Sequence, residues 1–251
     1  TPHTFILQAP DAWRAVTEAA ALAEDDRVIV CRPVVQRPLK LFGSYARKPN
    51  DPLFASSADA TLRQPYLENR DTNGAPLGVD LNVRAAWPVS RGEGITIALG
   101  DDGVELTHPD LASQVQGAPH FNFITLETNG LPAGPLSNHA TAVAGLAAAA
   151  ADNKIGMAGV APGARIASWV LFSATDRLEV SDEGLMDMFQ YRSNVVSVQN
   201  QSWGKDGPEQ FRLSTLEDIG ISNAVTFGRS GRGVIIVRAG GNGRMRVFNA
   251  N

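Results

Sequence analysis

Apolar positions after Gly94 follow two alternating patterns along the chain. Short aliphatic and β-branched runs, which are typical of buried strands, are separated by stretches whose apolar residues recur every three or four positions, as in helices. This alternation predicts an α/β fold with a parallel, doubly wound sheet and helices on both faces. The predicted strands are residues 95–99, 164–172, 195–199 and 234–237, and the predicted helices are residues 140–151, 181–192 and 213–227.

The first fifty residues follow a different pattern. Residues 11–22 have helical spacing, with Asp11 placed as the N-cap. Residues 27–31 form a β-branched run that predicts a strand. We therefore divide the chain into a small N-terminal α+β segment, residues 1–49, and a larger domain, residues 50–251.

Composition narrows the possible functions. The 251 residues carry a net charge of −4, which leaves no basic surplus for binding nucleic acid. No apolar run reaches the roughly 18 residues that a membrane span needs. The chain has one cysteine, Cys31, which excludes an internal disulfide and a cysteine metal site.

Four polar or glycine-rich segments lie at the ends of predicted elements, and in a parallel sheet the carboxyl ends of strands meet at one edge. Each segment alone is also consistent with a turn, a helix cap or a core side chain. Together their order suggests an acid that orients an imidazole, an imidazole that deprotonates a serine, and an asparagine that stabilises a tetrahedral intermediate. The segments are residues 100–103, 138–145, 200–204 and 239–243.

These segments resemble the motifs of the subtilase family, and those of its kexin-like branch in particular. The resemblance runs from about residue 50 to residue 251 and implies a subtilisin-like fold with serine endopeptidase activity on extended peptides or proteins. It is carried by IALGDDGV at 97–104, THPDL at 107–111, the segment around His139, SWG at 202–204, GGNG at 240–243, DPLF at 51–54 and YLEN at 66–69.

The resemblance implies a role for each matching residue. Asp101 would be the triad acid, His139 the general base and Asn242 the donor to the oxyanion. Asp102 would lie beside a substrate subsite, the 202–204 segment would pair its backbone with the substrate, and an acid near the shortened loop would bind a basic side chain. The implied substrate-binding residues are Asp102, Ser202, Trp203, Gly204 and Asp206.

The resemblance also implies a structural calcium ion. The loop at residues 151–157 has the family's pattern, and the ligands are all oxygens, as calcium prefers. An ordinary asparagine turn after the helix is the alternative. The implied ligands are the side chains of Asp51, Asp110 and Asn153 and the carbonyls of Ala151, Ile155 and Met157.

The sequence departs from the family pattern at two points. It contains no Gly-Thr-Ser motif, which is where the family carries its nucleophile, and Ser202 and Ser230 lie in other segments. Ala140 stands where the family usually has glycine after the histidine. We therefore expect a catalytic domain truncated before its serine, a sheet incomplete at its C-terminal end, and a chain that is inactive alone.

Residues 4–40, within the 1–49 segment, resemble the tail of a subtilase propeptide, and a small N-terminal extension is the alternative. We expect a secreted bacterial protein, extracellular or in the cell envelope, whose partners are a peptide or protein substrate and a propeptide or chaperone-like inhibitor. One rival hypothesis is a non-catalytic peptide-binding relative or an inactive fragment. The other is a nucleotide-binding domain, whose glycine fingerprint residues 100–103 do not supply.

Overall fold

The chain separates into two compact units, Thr1–Leu41 and Phe42–Asn251. In the first unit, helix α1 (Ala12–Ala23) begins at the predicted N-cap, where the Asp11 carboxylate accepts a 2.8 Å hydrogen bond from the Arg14 N–H. The fold is that of a computed structural model, which describes residues 4–34, 45–54, 63–71, 73–175, 177–204 and 212–242.

The strand predicted for residues 27–31 is wrong. No strand forms within residues 4–34, and the side chains of Ile29 and Val30 are exposed. A β-branched run becomes a strand when it pairs with a neighbour, and the described part of this unit offers none. The first unit is therefore helical over the described residues, where the sequence predicts α+β.

The second unit is built on a five-stranded parallel sheet with the spatial order β2-β3-β1-β4-β5. Its central strand is β1, where Ala98 lies opposite Ala167 of β3 on one side and Gln199 of β4 on the other. Because all pairings are parallel, the carboxyl ends of the strands share one edge. The strands are β1 (Thr96–Asp101), β2 (Phe121–Asn122), β3 (Arg165–Val170), β4 (Val198–Gln201) and β5 (Ile235–Arg238).

Helices cover both faces of this sheet, as predicted. Leu99 of β1 packs with the alanines of α4, whereas its neighbour Ala98 packs in a second cluster with Trp169, Phe189 of α5 and Ala224 of α6. Successive residues of the central strand thus enter opposite cores, which explains why residues 97–99 are all apolar. The helices are α2 (Val83–Ala86), α3 (Ala112–Val115), α4 (His139–Ala148), α5 (Asp182–Gln190) and α6 (Thr215–Gly231).

The arm before β1 is fastened to the loop that follows α4. The indole N–H of Trp87 donates a 2.9 Å hydrogen bond to the Val160 carbonyl. Trp87 belongs to a small apolar cluster, and this cluster holds the segment that carries Asp51 beside that loop. Its buried members are Phe54, Leu67, Val83, Trp87 and Ala158.

The strand β5 forms an apolar edge of the sheet. Ile235 and Val237 are 58% and 46% exposed, whereas Ile236 packs on the side of α5 and α6. Within the described residues no strand pairs with the outer side of β5. A surface of this kind is one on which further structure packs in a stable protein. No helix in the described ranges is both long and apolar enough to cross a bilayer.

Candidate active site

The Asp101 carboxylate and the His139 imidazole meet at the carboxyl end of β1. Asp101 is the last residue of that strand, and His139 is the first residue of α4. The Nδ1 atom of His139 lies 2.8 Å from Oδ1 and 2.9 Å from Oδ2 of Asp101. The side chain of Asp101 is 6% exposed and that of His139 is 55% exposed, so a buried acid holds an imidazole that reaches solvent.

This contact fixes the tautomer of His139. A carboxylate can only accept hydrogen bonds, so the ring proton belongs on Nδ1. The other nitrogen, Nε2, is then the one that can accept a proton, as a general base does. A buried carboxylate on the Nδ1 side also stabilises the imidazolium that results.

Two opposing effects act on the Asp101 carboxyl. Burial raises its pKa above the ordinary value, and the hydrogen bond from His139 acts in the opposite direction. The backbone N–H of Asp102 donates a further 2.8 Å hydrogen bond to Oδ1, which also favours the charged form. The charged state of Asp101 therefore depends on the hydrogen bonds that it accepts.

Asp102 fixes the first turn of α4. Its side chain is buried, and its two carboxylate oxygens accept hydrogen bonds of 3.1 Å from the His139 N–H and 2.7 Å from the Ala140 N–H. These N–H groups have no partner within the helix, so the carboxylate caps it. The geometry supports a role in positioning His139, and the substrate contact implied for Asp102 stays a prediction.

The methyl group of Ala140, at the position where glycine was expected, is fully accommodated. Ala140 is completely buried among the side chains that pack α4 on the sheet. The helix begins at His139 with this methyl group in place. The departure from glycine therefore does not prevent the Asp101–His139 contact.

Asp101, Asp102 and His139 have the spacing of a metal centre, since one ligand atom from each lies within 4.8 Å of the others. Both oxygens of Asp102 already accept backbone N–H groups, and Asp101 accepts the ring N–H. These polar atoms satisfy one another without a cation. The arrangement favours acid–base chemistry.

Trp203 ties the segment after β4 to β1. Its indole N–H donates a 2.6 Å hydrogen bond to the carbonyl of Gly100, the residue before Asp101. Its ring contacts Phe172 edge to face, and the guanidinium of Arg238 lies 4.8 Å from the ring centroid. The indole therefore places this segment beside the end of β1.

The remaining predicted substrate and oxyanion residues lie at the same edge or beyond the described ranges. The hydroxyl of Ser202 accepts a 2.9 Å hydrogen bond from the Asn200 side chain, and Gly204 is exposed. Asn242 is exposed and follows β5, two strands away from β1 in the sheet. Asp206 lies outside the described residues.

The two acids predicted to bind calcium meet at the loop that follows α4. Asp51 and Asp110 are 0% and 2% exposed. Asp51 accepts hydrogen bonds from the backbone N–H groups of Asp152, at 2.8 Å, and Asn153, at 3.4 Å. Asp110 accepts one from the Met157 N–H at 2.9 Å. The structure thus brings both carboxylates to one loop.

The charge of this cluster fits a cation. Burial raises the pKa of Asp51 above its ordinary value, and the negative charge of Asp110 adds to that effect. Among the described residues no lysine, arginine or histidine side chain forms an ion pair with either acid. Two buried carboxylates without a protein counter-ion are the setting in which calcium binds.

The other predicted calcium ligands differ in whether their oxygen atoms are available to a cation. The Asn153 side chain presents its Nδ2, at 2.6 Å, to Oδ1 of Asp110, while its own oxygen accepts the Ile155 N–H. The amide would have to rotate before its oxygen could bind calcium. No described residue donates a hydrogen bond to the carbonyls of Ala151, Ile155 or Met157.

Two residues behind the site were not predicted from the sequence. The hydroxyl of Ser168 accepts a 2.8 Å hydrogen bond from the N–H of Val104, two residues after Asp102. The ring of His120 accepts one of 3.1 Å from the Ser168 N–H. The available signal was a serine inside a predicted strand that is mainly apolar, and this signal indicates no particular role.

A buried carboxylate that accepts a hydrogen bond from an imidazole is also found, as two of three catalytic groups, in Ser-His-Asp hydrolases. The family model for subtilases (Peptidase_S8, Subtilase family) matches residues 92–251. The chain belongs to the subtilase family.

Two curated relatives indicate where in the family the similarity lies. Neuroendocrine convertase 2 of Bos taurus, a kexin-like protein, is 33% identical over 208 residues, which cover 77% of this chain and 30% of the relative. A calcium-dependent protease of Nostoc sp. is 29% identical over 259 residues, which cover 98% of this chain and 35% of that protease. The chain therefore spans about a third of the length of these relatives.

Solved structures have the same fold. The serine protease of Aeromonas sobria, in a complex with the chaperone ORF2, matches with a TM-score of 0.55 and 28% identity, over 65% of this chain and 27% of that one. A protease of Pseudoalteromonas arctica PAMC 21717 matches with a TM-score of 0.58 and 21% identity, over 78% and 60% of the two chains. The second match bears on the fold alone.

Proposed function

We propose that this chain carries the acid and the base of a calcium-dependent serine endopeptidase. The nucleophile is a serine outside these 251 residues, since the sequence has no Gly-Thr-Ser motif. The observation that carries the proposal is the 2.8 Å contact between Nδ1 of His139 and Oδ1 of Asp101, with the ring open to solvent. Membership of the subtilase family supports the same chemistry.

In the proposed reaction His139 moves one proton in two directions. As the serine Oγ attacks the substrate carbonyl, Nε2 of His139 takes its proton, and Asp101 stabilises the imidazolium. The imidazolium then gives that proton to the leaving amine, and water releases the acyl group by the same route in reverse. Asn242 would donate a hydrogen bond to the oxyanion, an effect worth about 3–4 kcal/mol elsewhere.

The substrate would bind as an extended strand along Ser202, Trp203 and Gly204. This segment follows β4, which lies beside the catalytic strand, and Trp203 anchors it to Gly100. Backbone pairing gives affinity without demanding one sequence. Asp102 would lie near the subsite next to the scissile residue, and Asp206 would add a preference for basic side chains, which cleavage of a panel of peptides can test.

The proposed calcium ion would be structural. Asp51 and Asp110 would neutralise it, and it would fasten the N-terminal arm to the loop after α4, close to the helix that carries His139. Two buried acids that have no counter-ion among the described side chains support this role. The match to a calcium-dependent protease agrees with it.

We further propose that residues 1–49 act as a propeptide and that the protein is exported by a bacterium, extracellularly or to the cell envelope. Two observations support the propeptide role. The chain separates into two units after Leu41, and α1 has an exposed apolar face on which a binding partner could pack. The larger domain would have this propeptide or a chaperone-like inhibitor as its binding partner.

A non-catalytic peptide-binding relative, or an inactive fragment, is the second candidate. The observation in its favour is the missing Gly-Thr-Ser motif. The two candidates share the Ser202–Gly204 surface and differ in whether a serine meets His139. Reading the gene downstream of codon 251 distinguishes them, because a Gly-Thr-Ser motif supports the enzyme.

The proposal is tested with a serine-directed phosphonate. The product of the complete open reading frame is incubated with the reagent in calcium and in chelator, beside a His139→Ala variant and a His108→Ala control. We expect labelling of the wild type and the control in calcium, and none of His139→Ala. A wild-type protein that takes no label in either buffer overturns the enzyme and favours the peptide-binding relative.

A further inference from the structure

Ser168 lies in the middle of β3, behind the turn that follows Asp101. Its side chain is completely buried. Its Oγ accepts a 2.8 Å hydrogen bond from the Val104 N–H and donates one of 2.7 Å to the Gly130 carbonyl. The Val104 N–H also reaches the same carbonyl at 3.1 Å. One hydroxyl therefore joins β3 to two other segments of the chain.

The segment at Gly130 is pressed against the turn that contains Asp102. Gly103 has φ +97°, and a methyl group there would lie 2.6 Å from the Leu131 carbonyl oxygen. A methyl group on Gly130 would lie 2.7 Å from Cβ of Ser168. Both glycines are required by close approach of backbones. A displacement of Ser168 would therefore be transmitted to this turn.

His120 accepts the hydrogen bond of the Ser168 N–H, for which the neighbouring strand β2 provides no acceptor. The strand β2 pairs with β3 only from Trp169 onward, so the Ser168 N–H donates to Nδ1 of His120 instead, at 3.1 Å. The other ring nitrogen, Nε2, lies 2.9 Å from the Val115 carbonyl, which can only accept. The ring proton therefore belongs on Nε2, and the neutral ring holds Ser168 through Nδ1.

We propose that Ser168 is a positioning residue for the Asp101–His139 pair, and that His120 holds Ser168 in place. The inference rests on the proposed function, which assigns the Asp101–His139 pair its catalytic role. Its test needs no peptide hydrolysis.

The proposed connection has three steps. Ser168 holds Val104 and the Gly130 segment against the turn after β1. That turn carries Asp102, whose carboxylate caps α4 through two backbone N–H groups. The cap sets where His139 begins the helix and so sets its distance from Asp101.

The surroundings of His120 keep its ring neutral. The ring meets α3 through the Val115 carbonyl and β3 through the Ser168 N–H, and a methyl group added at Gly130 would lie 3.0 Å from Cβ of His120. Burial lowers its pKa, the Val115 carbonyl acts in the opposite direction, and no charged side chain in the described residues contributes. A proton on Nδ1 would face the Ser168 N–H, so protonation would release Ser168.

The test uses nuclear magnetic resonance on the whole 251-residue chain. The first readout is the downfield proton resonance of the His139 Nδ1–H bonded to Asp101, and the second is the exchange rate of the Val104 amide. The variants are Ser168→Ala, His120→Phe, and His120→Gln, whose amide oxygen restores an acceptor. Ser197→Ala, a buried serine next to β4 with no side-chain hydrogen bond to a described residue, is the control.

We expect Ser168→Ala and His120→Phe to broaden or remove the His139 resonance and to speed Val104 exchange about tenfold, as loss of one hydrogen bond does. His120→Gln should restore both readouts and Ser197→Ala should leave them unchanged. A folded Ser168→Ala or His120→Phe chain with wild-type readouts overturns the inference. Absence of the resonance from the wild type would instead contradict the Asp101–His139 pair and the proposed function.

Discussion

At the scale of single residues, the site depends on one buried carboxylate and one exposed imidazole. Burial favours the neutral form of Asp101, and the hydrogen bonds from His139 and the Asp102 N–H favour the charged form. The charged form is the one that holds Nδ1–H of the ring. The pair therefore stabilises the ionisation state that its proposed function needs.

Replacing the acid by its amide tests this pair directly. In Asp101→Asn the side chain no longer favours the Nδ1–H tautomer, so we expect the downfield resonance of His139 to disappear while the chain stays folded. Glu105→Gln, which changes an exposed acid four residues along, is the control and should keep the resonance. Persistence of the resonance in Asp101→Asn would show that another acceptor holds the ring.

The expected effect of replacing Asp51 on the melting temperature differs between buffers with and without calcium. The pKa of Asp51 is raised in the folded chain, so without calcium its stability contribution is lost as the pH rises from about 3.8 through the folded value. Asp51→Asn, which has no charge to bury, should therefore melt no lower than the wild type in chelator at pH 7. It should lose most of the rise in melting temperature that calcium gives the wild type.

Asp152→Asn, in the same loop but bonded to Arg47 and Arg91, is the control for this effect and should keep the calcium response. Differential scanning calorimetry in calcium and in chelator measures all three proteins. A wild-type melting temperature that does not change with calcium would sink the proposed site.

The sequence indicates some of these residues and not others. Asp101 and His139 could be placed because each stands in an ordered motif at the end of a predicted element. The cap formed by Asp102 could not, since a sequence does not show which N–H groups lie above a side chain. The role of Ser168 could not be predicted because its partners, Val104 and Gly130, are distant in the chain.

At the scale of elements, α4 carries His139, and its start is set by the carboxylate of Asp102, directly after β1. We expect Asp102→Ala to lower the free energy of unfolding by about 1–3 kcal/mol, since it leaves the buried Ala140 N–H and the part-buried His139 N–H without an acceptor. Ser181→Ala, the exposed cap of α5, is the matched control at about 1 kcal/mol. Urea unfolding of the two variants gives the comparison, and a fully stable Asp102→Ala would refute the cap.

Long elements with a clear period are predicted well, and short or unpaired ones are not. The seven strands and helices predicted after Gly94 all form, with ends displaced by one to four residues. The two-residue β2 and the four-residue α3 are too short to show a period. Residues 27–31 have strand composition but no partner among the described residues, and pairing outweighs propensity there.

At the scale of the whole molecule, His120 links stability to pH. Burial lowers its folded pKa below the ordinary 6.5, so the unfolded chain binds the proton first as the pH falls. Its contribution is fully present above about pH 6.5 and is lost as the pH drops from there through the folded pKa. Urea unfolding at pH 7.5 and pH 5 should show a smaller loss for His120→Gln than for the wild type.

His108→Gln changes a partly exposed imidazole and is the control for that experiment. It should keep the wild-type loss of stability between the two pH values. Equal losses in the wild type and in His120→Gln would show that His120 does not carry the acid sensitivity.

The sheet order joins the separate motifs into one site. The order β3-β1-β4-β5 places the ends that carry Asp101, Trp203 and Asn242 along one edge. Alternating strands and helices predict a parallel sheet, but they do not give the order of its strands. That order, and the exposed apolar side of β5, come from the packing of the whole unit.

The central claim is that Asp101 and His139 are the acid and base of an endopeptidase, and peptide cleavage by the product of the complete open reading frame tests it. With calcium present, the wild type should cleave an extended peptide, and Asp101→Asn should lower kcat about 10⁴-fold, as loss of the acid does in well-studied triads. Cleavage that is equally fast in Asp101→Asn, or no cleavage by the wild type, would contradict the claim.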